Sequence, residues 1–263
     1  VLKVRLALGV SYAGQAYEGW QSQSSGNTVQ DKLESALHKF AQMPIGTICA
    51  GRTDSGVHGL MQVVHFDTSL QRDANAWVRG PNTFLPHDIA VQWAQPVPED
   101  FHARGSAIGR RYAYVLVESP VRPSVEHGRV GWVFRPLNEA AMQAAAALLL
   151  GEHDFSSFRA AQCQARSPVK TMRRIEIHRR GAYWRFEFEA NAFLHHMIRN
   201  LMGCLLAVGR GDKPVEWITE VLQARNRRVA APTFAPDGLY FLGPCYEAHW
   251  GLPERTPAYD WLP

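Results

Sequence analysis

The sequence is short of lysine, of paired cysteines and of long apolar runs, and each shortage excludes something. Five lysines stand against 23 arginines. Cys49, Cys163, Cys204 and Cys245 lie far apart and form no Cys-x-x-Cys pair, so neither a thiolate zinc centre nor a redox dithiol is expected. Three of the four sit in apolar company, where a reduced, inert thiol resides. No apolar run reaches transmembrane length. The chain starts at Val1 and enters a strand-like pattern rather than a signal sequence. A cytoplasmic protein without a membrane partner is expected. There is no phosphate loop, dinucleotide fingerprint or metal cluster in the sequence. His195 and His196 are adjacent, so on a helix they would point apart and make a poor ligand pair. Neither cofactor nor metal is expected.

What is present suits a folded protein with a real core. A length of 263 residues with 46% hydrophobic content fits one large domain or two ordinary ones. The net charge is +4 and the pI about 9.0. Residues 1–110 carry nine basic and nine acidic side chains, so the surplus lies beyond them. Between Arg159 and Arg185 eight basic residues face one acid, Glu176. A planar guanidinium suits phosphate and base stacking better than ammonium does. A GC-rich genome favouring arginine codons, with a solvated basic face, accounts for the ratio but poorly for the local concentration, which favours a nucleic-acid partner.

Periodicity gives the elements. Leu2, Val4, Leu6, Leu8 and Val10 alternate with smaller or polar residues, a half-buried strand. The loop from Tyr12 to Asn27 carries Tyr12, Tyr17 and Trp20, and Trp20 reads as a lid on the core. Thr28 caps a helix with Val29, Leu33, Leu37 and Phe40 on one face. Strands follow at Thr47 to Cys49 and Leu60 to Asp67, then a helix opened by Asp73 and a strand around Val91. The order is β-α-β-β-α-β. The second half reads alike: a strand from Ala107 to Val117, an Asn138-capped helix ending at Gly151, and a hairpin turning at Arg179-Arg180-Gly181. A helix from Phe193 to Val208, a shorter one around Trp217 and a strand at Leu239 to Leu242 complete it. The expected fold is α+β, with two ferredoxin-like or RRM-like halves, 1–106 and 107–263. They would join around a central mixed, largely antiparallel sheet with a cleft between them. No function is read in the Pro- and Trp-bearing tail beyond Cys245.

The stretch Cys49-Ala50-Gly51-Arg52-Thr53-Asp54-Ser55-Gly56-Val57-His58 joins two of these strands. A turn needs glycine; it does not need Arg, Asp and His within seven positions. A carboxylate beside a guanidinium keeps its charge, which suits Asp54 to act as a base or nucleophile. Local chemistry equally allows an Asp that bonds its own loop amides, with Arg52 as a surface partner.

Gly51 to His58, followed by Gln62-Val63-Val64-His65-Phe66, resembles the active-site segment of the tRNA pseudouridine synthase A (TruA) family. The resemblance extends in order to Tyr17-Glu18-Gly19-Trp20-Gln21, Arg110-Arg111-Tyr112, Gly151-Glu152-His153-Asp154-Phe155, Asn191 to Asn200, and Asp237-Gly238-Leu239. It implies an isomerase acting on uridines 38, 39 and 40 of the tRNA anticodon stem-loop, and a homodimer. By the same resemblance Asp54 is the nucleophile, Tyr112 contacts the uracil, Arg199 partners Asp54, and Arg52 helps extrude the base. Arg110, Arg111 and the basic stretch would hold phosphates. Breaking C1′–N1 and rejoining through C5 gives an isomer, which agrees with the missing cofactor motifs. No role falls to His58, His65, His195 or His196.

Two other readings compete. Asp54-Ser55-Gly56 matches the aspartic-protease signature, but that chemistry needs two carboxylates sharing a proton and the chain has one copy. A non-catalytic protein of two RRM-like modules would show a glycine-rich aromatic RNP run, and none is found.

Overall fold

The alternation at Leu2 to Val10 forms β1, Val4–Tyr12, in the computed structural model, which describes residues 2–253. This strand belongs to the first of two compact units. Val1–Ile108 and Tyr240–Pro263 make the first unit, and Gly109–Leu239 the second. After β1 come α1 (Val29–Ala41), β2 (Ile48–Cys49), β3 (His58–Thr68), α2 (Ala74–Phe84) and β4 (Ile89–Val97). Both helix starts follow from the sequence: Thr28 accepts from the Asp31 amide, and Asp73 from that of Ala76. β1 runs antiparallel to β4 on one side and β3 on the other. The far edge of β3 is shared. β2 pairs antiparallel with it at Val64 and His65, and the last strand, β10 (Leu239–Tyr246), pairs parallel with it at His58 and Gly59.

Leu6, Leu8, Val10, Leu33, Leu37, Phe66 and Trp77 form the core between this sheet and the two helices. Truncating a wholly buried residue such as Leu33 costs about 2–5 kcal/mol. The expectation of a half-buried β1 is corrected. Its second face is covered too, by Phe101 and Ala103 and by Tyr246, Trp250 and Leu252 of the tail. The sequence hides this because the residues on that face are small. With no side chain at Gly9, the Trp93 ring lies where a Cβ would stand. Residues 254–263 of the tail lie outside the described residues.

In the second unit β5 (Ala107–Glu118), β9 (Tyr183–Ala190), β8 (Val169–Arg180) and β7 (Gly151–Asp154) lie side by side, antiparallel throughout. β6 (Gly131–Val133) pairs parallel with the end of β5. Within each unit the strands are therefore mixed in direction and largely antiparallel. Trp184, Phe186, Phe188 and Ala190 alternate inward along β9. α3 (Glu139–Ala147), capped by Asn138, packs on α4 (Met197–Gly209), and α5 (Trp217–Ala224) follows. α3 ends four residues before Gly151, which instead opens β7.

α4 starts later than its apolar pattern suggests. His196 sits at φ 62 in the left-handed region, and Met197 donates to the Leu194 carbonyl at 3.0 Å, so residues 194–197 form a turn. His195 and His196 are thus not on a helix, and their rings stand 4.0 Å apart. Beyond its first turn α4 is buried at nearly every position, as a helix apolar on all sides should be. Among the described residues no helix is long and apolar enough to cross a membrane.

Candidate active site

The motif around Asp54 is the connection between β2 and β3. Its base is closed by the Ala50 amide on the Val63 carbonyl (2.9 Å) and by Gln62 Nε2 on the Gly51 carbonyl (2.5 Å). At the tip, the Val57 amide donates to the Asp54 carbonyl at 3.1 Å, with Gly56 at φ 82. The turn leaves Asp54 half-buried and Arg52 exposed, while Thr53 and Val57 between and beyond them are buried.

The loop is held from outside by residues 12–20. Trp20 donates its amide to the Thr53 carbonyl (3.1 Å), and the Tyr17 carbonyl accepts from Gly56 N and Ser55 Oγ. The Gly14 amide donates to His58 Nδ1 (2.9 Å), and the hydroxyls of Tyr12 and Thr53 bond at 2.9 Å. Gly19 permits the close approach: its φ is 83, and a Cβ there would lie 2.8 Å from the Thr53 carbonyl oxygen. Tyr12, Tyr17 and Trp20 are buried, so these aromatics cap the core rather than offer a stacking surface. Burial raises the Tyr12 phenol far above its usual pKa, and burial together with Asp88 does the same for Tyr17, whose hydroxyl donates to that carboxylate. Both stay protonated at any pH the protein meets.

His58, given no role from sequence, is a scaffold group. It is buried, accepts from Gly14 through Nδ1 and stacks on Tyr240 with ring centroids 4.6 Å apart. Composition gives no sign of this bracing. A sequence signal does exist in the ordered match at Tyr17 to Gln21, which sits beside the motif only in three dimensions.

Arg110, Arg111, Tyr112 and Arg199 belong to the second unit. Tyr112, half-buried on β5, faces Phe193 edge-on at 5.1 Å between centroids. Arg110 Nη1 donates to the Asn191 carbonyl at 3.0 Å. Two separate motifs, 110–112 and 191–200, therefore meet. Tyr114, two residues on, is wholly buried and donates to the Ala235 carbonyl at 2.7 Å, a core role. Arg199, half-buried in the first turn of α4, donates from Nε to the Phe234 carbonyl (2.8 Å) and accepts from the Phe234 amide through its own carbonyl. The Nε bond ties its side chain to the segment around Phe234.

The basic stretch divides into two kinds of arginine. Arg166, Arg173, Arg179 and Arg180 are exposed. Arg159 turns inward to the carbonyls of Cys163 (3.1 Å) and Ala165 (2.7 Å). Arg174 pairs with Glu176 and Arg185 with Glu187. Glu176, His178 and Glu187 bring their ligand atoms within 4.8 Å of one another. Those two guanidiniums already balance the carboxylates, so the cluster reads as an ion-pair network rather than a metal centre.

A family model described as tRNA pseudouridine synthase matches residues 9–104 and 145–247. The match takes in Arg52, Asp54 and Arg199, and leaves Arg110 to Tyr112 in the unmatched span between. A protein of Polaromonas naphthalenivorans (strain CJ2) named tRNA pseudouridine synthase A is 73% identical over 264 residues, covering 99% of this chain and 100% of its own. One of that name from Variovorax paradoxus (strain S110) is 71% identical over 257 residues, 96% and 95% of the two chains. A solved archaeal box H/ACA Nop10–Cbf5 complex aligns at a TM-score of 0.36 and 12% identity, over 85% of this chain and 59% of that one. That likeness is too slight to argue from.

Proposed function

The chain belongs to the tRNA pseudouridine synthase family, and from that premise we propose that Asp54 is the nucleophile with which it isomerises uridines 38, 39 and 40 of the tRNA anticodon stem-loop. The enzyme is an isomerase. The C1′–N1 bond of a uridine breaks, a C1′–C5 bond forms, C5 loses a proton and N1 gains one. Atoms and electrons balance within the substrate, so the overall change draws on no outside oxidant or reductant.

The build of the motif loop carries the assignment. An ordinary turn carboxylate is solvated and mobile; Asp54 follows a residue fixed through both main chain and side chain and stands half-open. Such placement suits a group that must reach one atom of a bound base. Arg52, exposed two residues earlier, suits insertion into RNA, where its contacts would offset the few kcal/mol that base extrusion costs. Tyr112, its ring set by Phe193, is read as the face on which the freed uracil turns. Arg199 is read as the partner of Asp54, and Arg110 and Arg111 as phosphate contacts.

The division of labour follows the halves: 1–106 carries the Asp54 loop, and 107–263 the basic RNA surface. The β-α-β-β-α-β order of the first unit and its β4-β1-β3 strand order support a ferredoxin-like reading. Homodimerisation rests on the family resemblance, and sedimentation of the purified protein tests it; a cytoplasmic location is the default reading of a sequence with no apolar run of transmembrane length.

The deciding experiment mixes the protein, and its Asp54→Ala variant, with unmodified tRNA transcripts and maps pseudouridine chemically. Product at 38–40 from the parent and none from the variant, with tRNA binding retained, is the expected result. An active Asp54→Ala enzyme would remove the assignment, and product at other positions would remove the site specificity.

A further inference from the structure

A bond between two side chains, Tyr12 and Thr53, ties the Asp54 loop to residues 12–20 and can be removed without touching the backbone. Tyr12 is the last residue of β1, a strand flanked on both sides in its sheet. Its ring is 4% exposed and stands 5.6 Å from the Trp20 ring. It also lies over Gly59, where an added Cβ would come within 2.5 Å of the ring carbon bearing the hydroxyl. The ring is wedged, and its oxygen meets Thr53 Oγ1 at 2.9 Å in a buried contact. The carbonyl of Thr53 is meanwhile held by the Trp20 amide.

We propose that Tyr12 is a positioning residue for the reaction: through the Thr53 hydroxyl it ties the peptide carrying Asp54 to the rigid end of β1 and so sets where that carboxylate stands. This rests on reading Asp54 as the nucleophile. Tyr12 touches no substrate. Its effect travels through one hydrogen bond and one peptide, and a displacement well under an ångström at Asp54 is enough to slow attack on a bound sugar or base. A buried hydroxyl deprived of its partner also invites rearrangement, because it must find another acceptor or donor.

The test uses single-turnover kinetics on unmodified tRNA transcript, tRNA binding, and thermal melting for the parent, Tyr12→Phe, Thr53→Val, Thr53→Ser and the Tyr12→Phe/Thr53→Val double variant. Loss of the bond should lower the rate of the chemical step about 10- to 100-fold while the Kd for tRNA stays within twofold. Thr53→Ser, which keeps the hydroxyl, should stay near the parent. The double variant should be no slower than the slower single, since both remove the same bond. A Tyr12→Phe rate within twofold of the parent overturns the proposal. So does a double variant whose losses multiply, or a loss confined to tRNA binding. If Tyr12→Phe does not fold, Thr53→Val against Thr53→Ser reads the same bond. Asp54→Ala run alongside separates the two ideas. If it is inactive while Tyr12→Phe is unimpaired, the positioning role alone fails; if it is active, the nucleophile assignment fails.

Discussion

The Asp54 loop and the β8–β9 hairpin tip are both charged turns, and they are built on opposite plans. Asp54 follows buried Thr53, and its loop is bonded through the backbone to buried Tyr17 and Trp20, some thirty to forty residues earlier. At the hairpin tip Arg179 and Arg180 are exposed, and Arg179 is steadied by an ion pair to Glu118 at 3.2 Å and by the Trp184 ring 4.7 Å below. Exposed ion pairs of that kind contribute about 0–1 kcal/mol. On the proposed function, the difference matches two physical demands. A bond-making oxygen must be fixed to a fraction of an ångström, whereas attraction to phosphates acts over several ångströms and tolerates side chains that move.

The largest expected effect tests the first demand. Asp54→Glu keeps the charge and lengthens the arm by one methylene, so single-turnover rates should fall about 100-fold or more with tRNA affinity unchanged. A loss under threefold would mean that charge alone suffices and that the bracing is incidental. Next, Asn200→Ala asks whether the second unit is also rigid away from its tip. Buried Asn200 donates to the Phe158 carbonyl (2.9 Å) and accepts from Arg227 (2.9 Å) and Thr233 (2.7 Å). Deleting it removes three hydrogen bonds and should lower unfolding free energy by about 2 kcal/mol in denaturant titration. Neutralising the tip, Arg179→Ala with Arg180→Ala, should weaken tRNA binding about tenfold and reduce the salt slope by about 1 for each phosphate no longer neutralised. The rate at saturating tRNA should not change.

The smallest effect concerns pH. His65 is buried and accepts the Ala103 amide through Nδ1 at 2.9 Å. Burial, with Arg5 and His102 adding to it, pushes its pKa down to about 4 from 6.5. The unfolded chain therefore takes up this proton before the folded one does. The stability that neutral His65 contributes is complete above pH 6.5 and is lost as pH falls toward 4. Denaturant midpoints should drop across that window, and His65→Asn, which keeps an acceptor but does not titrate, should flatten the drop. The hairpin tip, with no buried titrating group of this kind among the described residues, should show no matching change in tRNA-binding geometry.

Sequence patterns make much of the first unit legible because its elements advertise themselves locally. Thr28 and Asp73 mark helix starts, and alternation marks β1. The motif glycines mark the turn. Covered faces are harder to see. The second side of β1 carries Ala7 and Gly9, and small residues under a bulky neighbour look the same as small residues facing water. In the second unit β6 and β7 have three and four residues, too short for periodicity to register. Apolar spacing sets the start of α4 at Phe193 because it is blind to a left-handed residue at 196. At the site, Asp54 and Arg52 stand out by residue type in a turn. The bracing by Tyr12, Tyr17 and Trp20 does not, since hydrogen bonds across forty residues leave no local trace. Nor does the sequence separate Arg159, spent on backbone carbonyls, from the exposed arginines that follow it.

The parallel pairing of β10 with β3 has a temporal side. Tyr240, whose ring supports His58 at the foot of the Asp54 loop, is made nearly two hundred residues after that loop. A ribosome-bound chain with only its first half emerged holds every residue of the Asp54 turn but lacks the strand that completes the sheet beside it. Completion of the sheet on that side of the turn is thus deferred until β10 has been made.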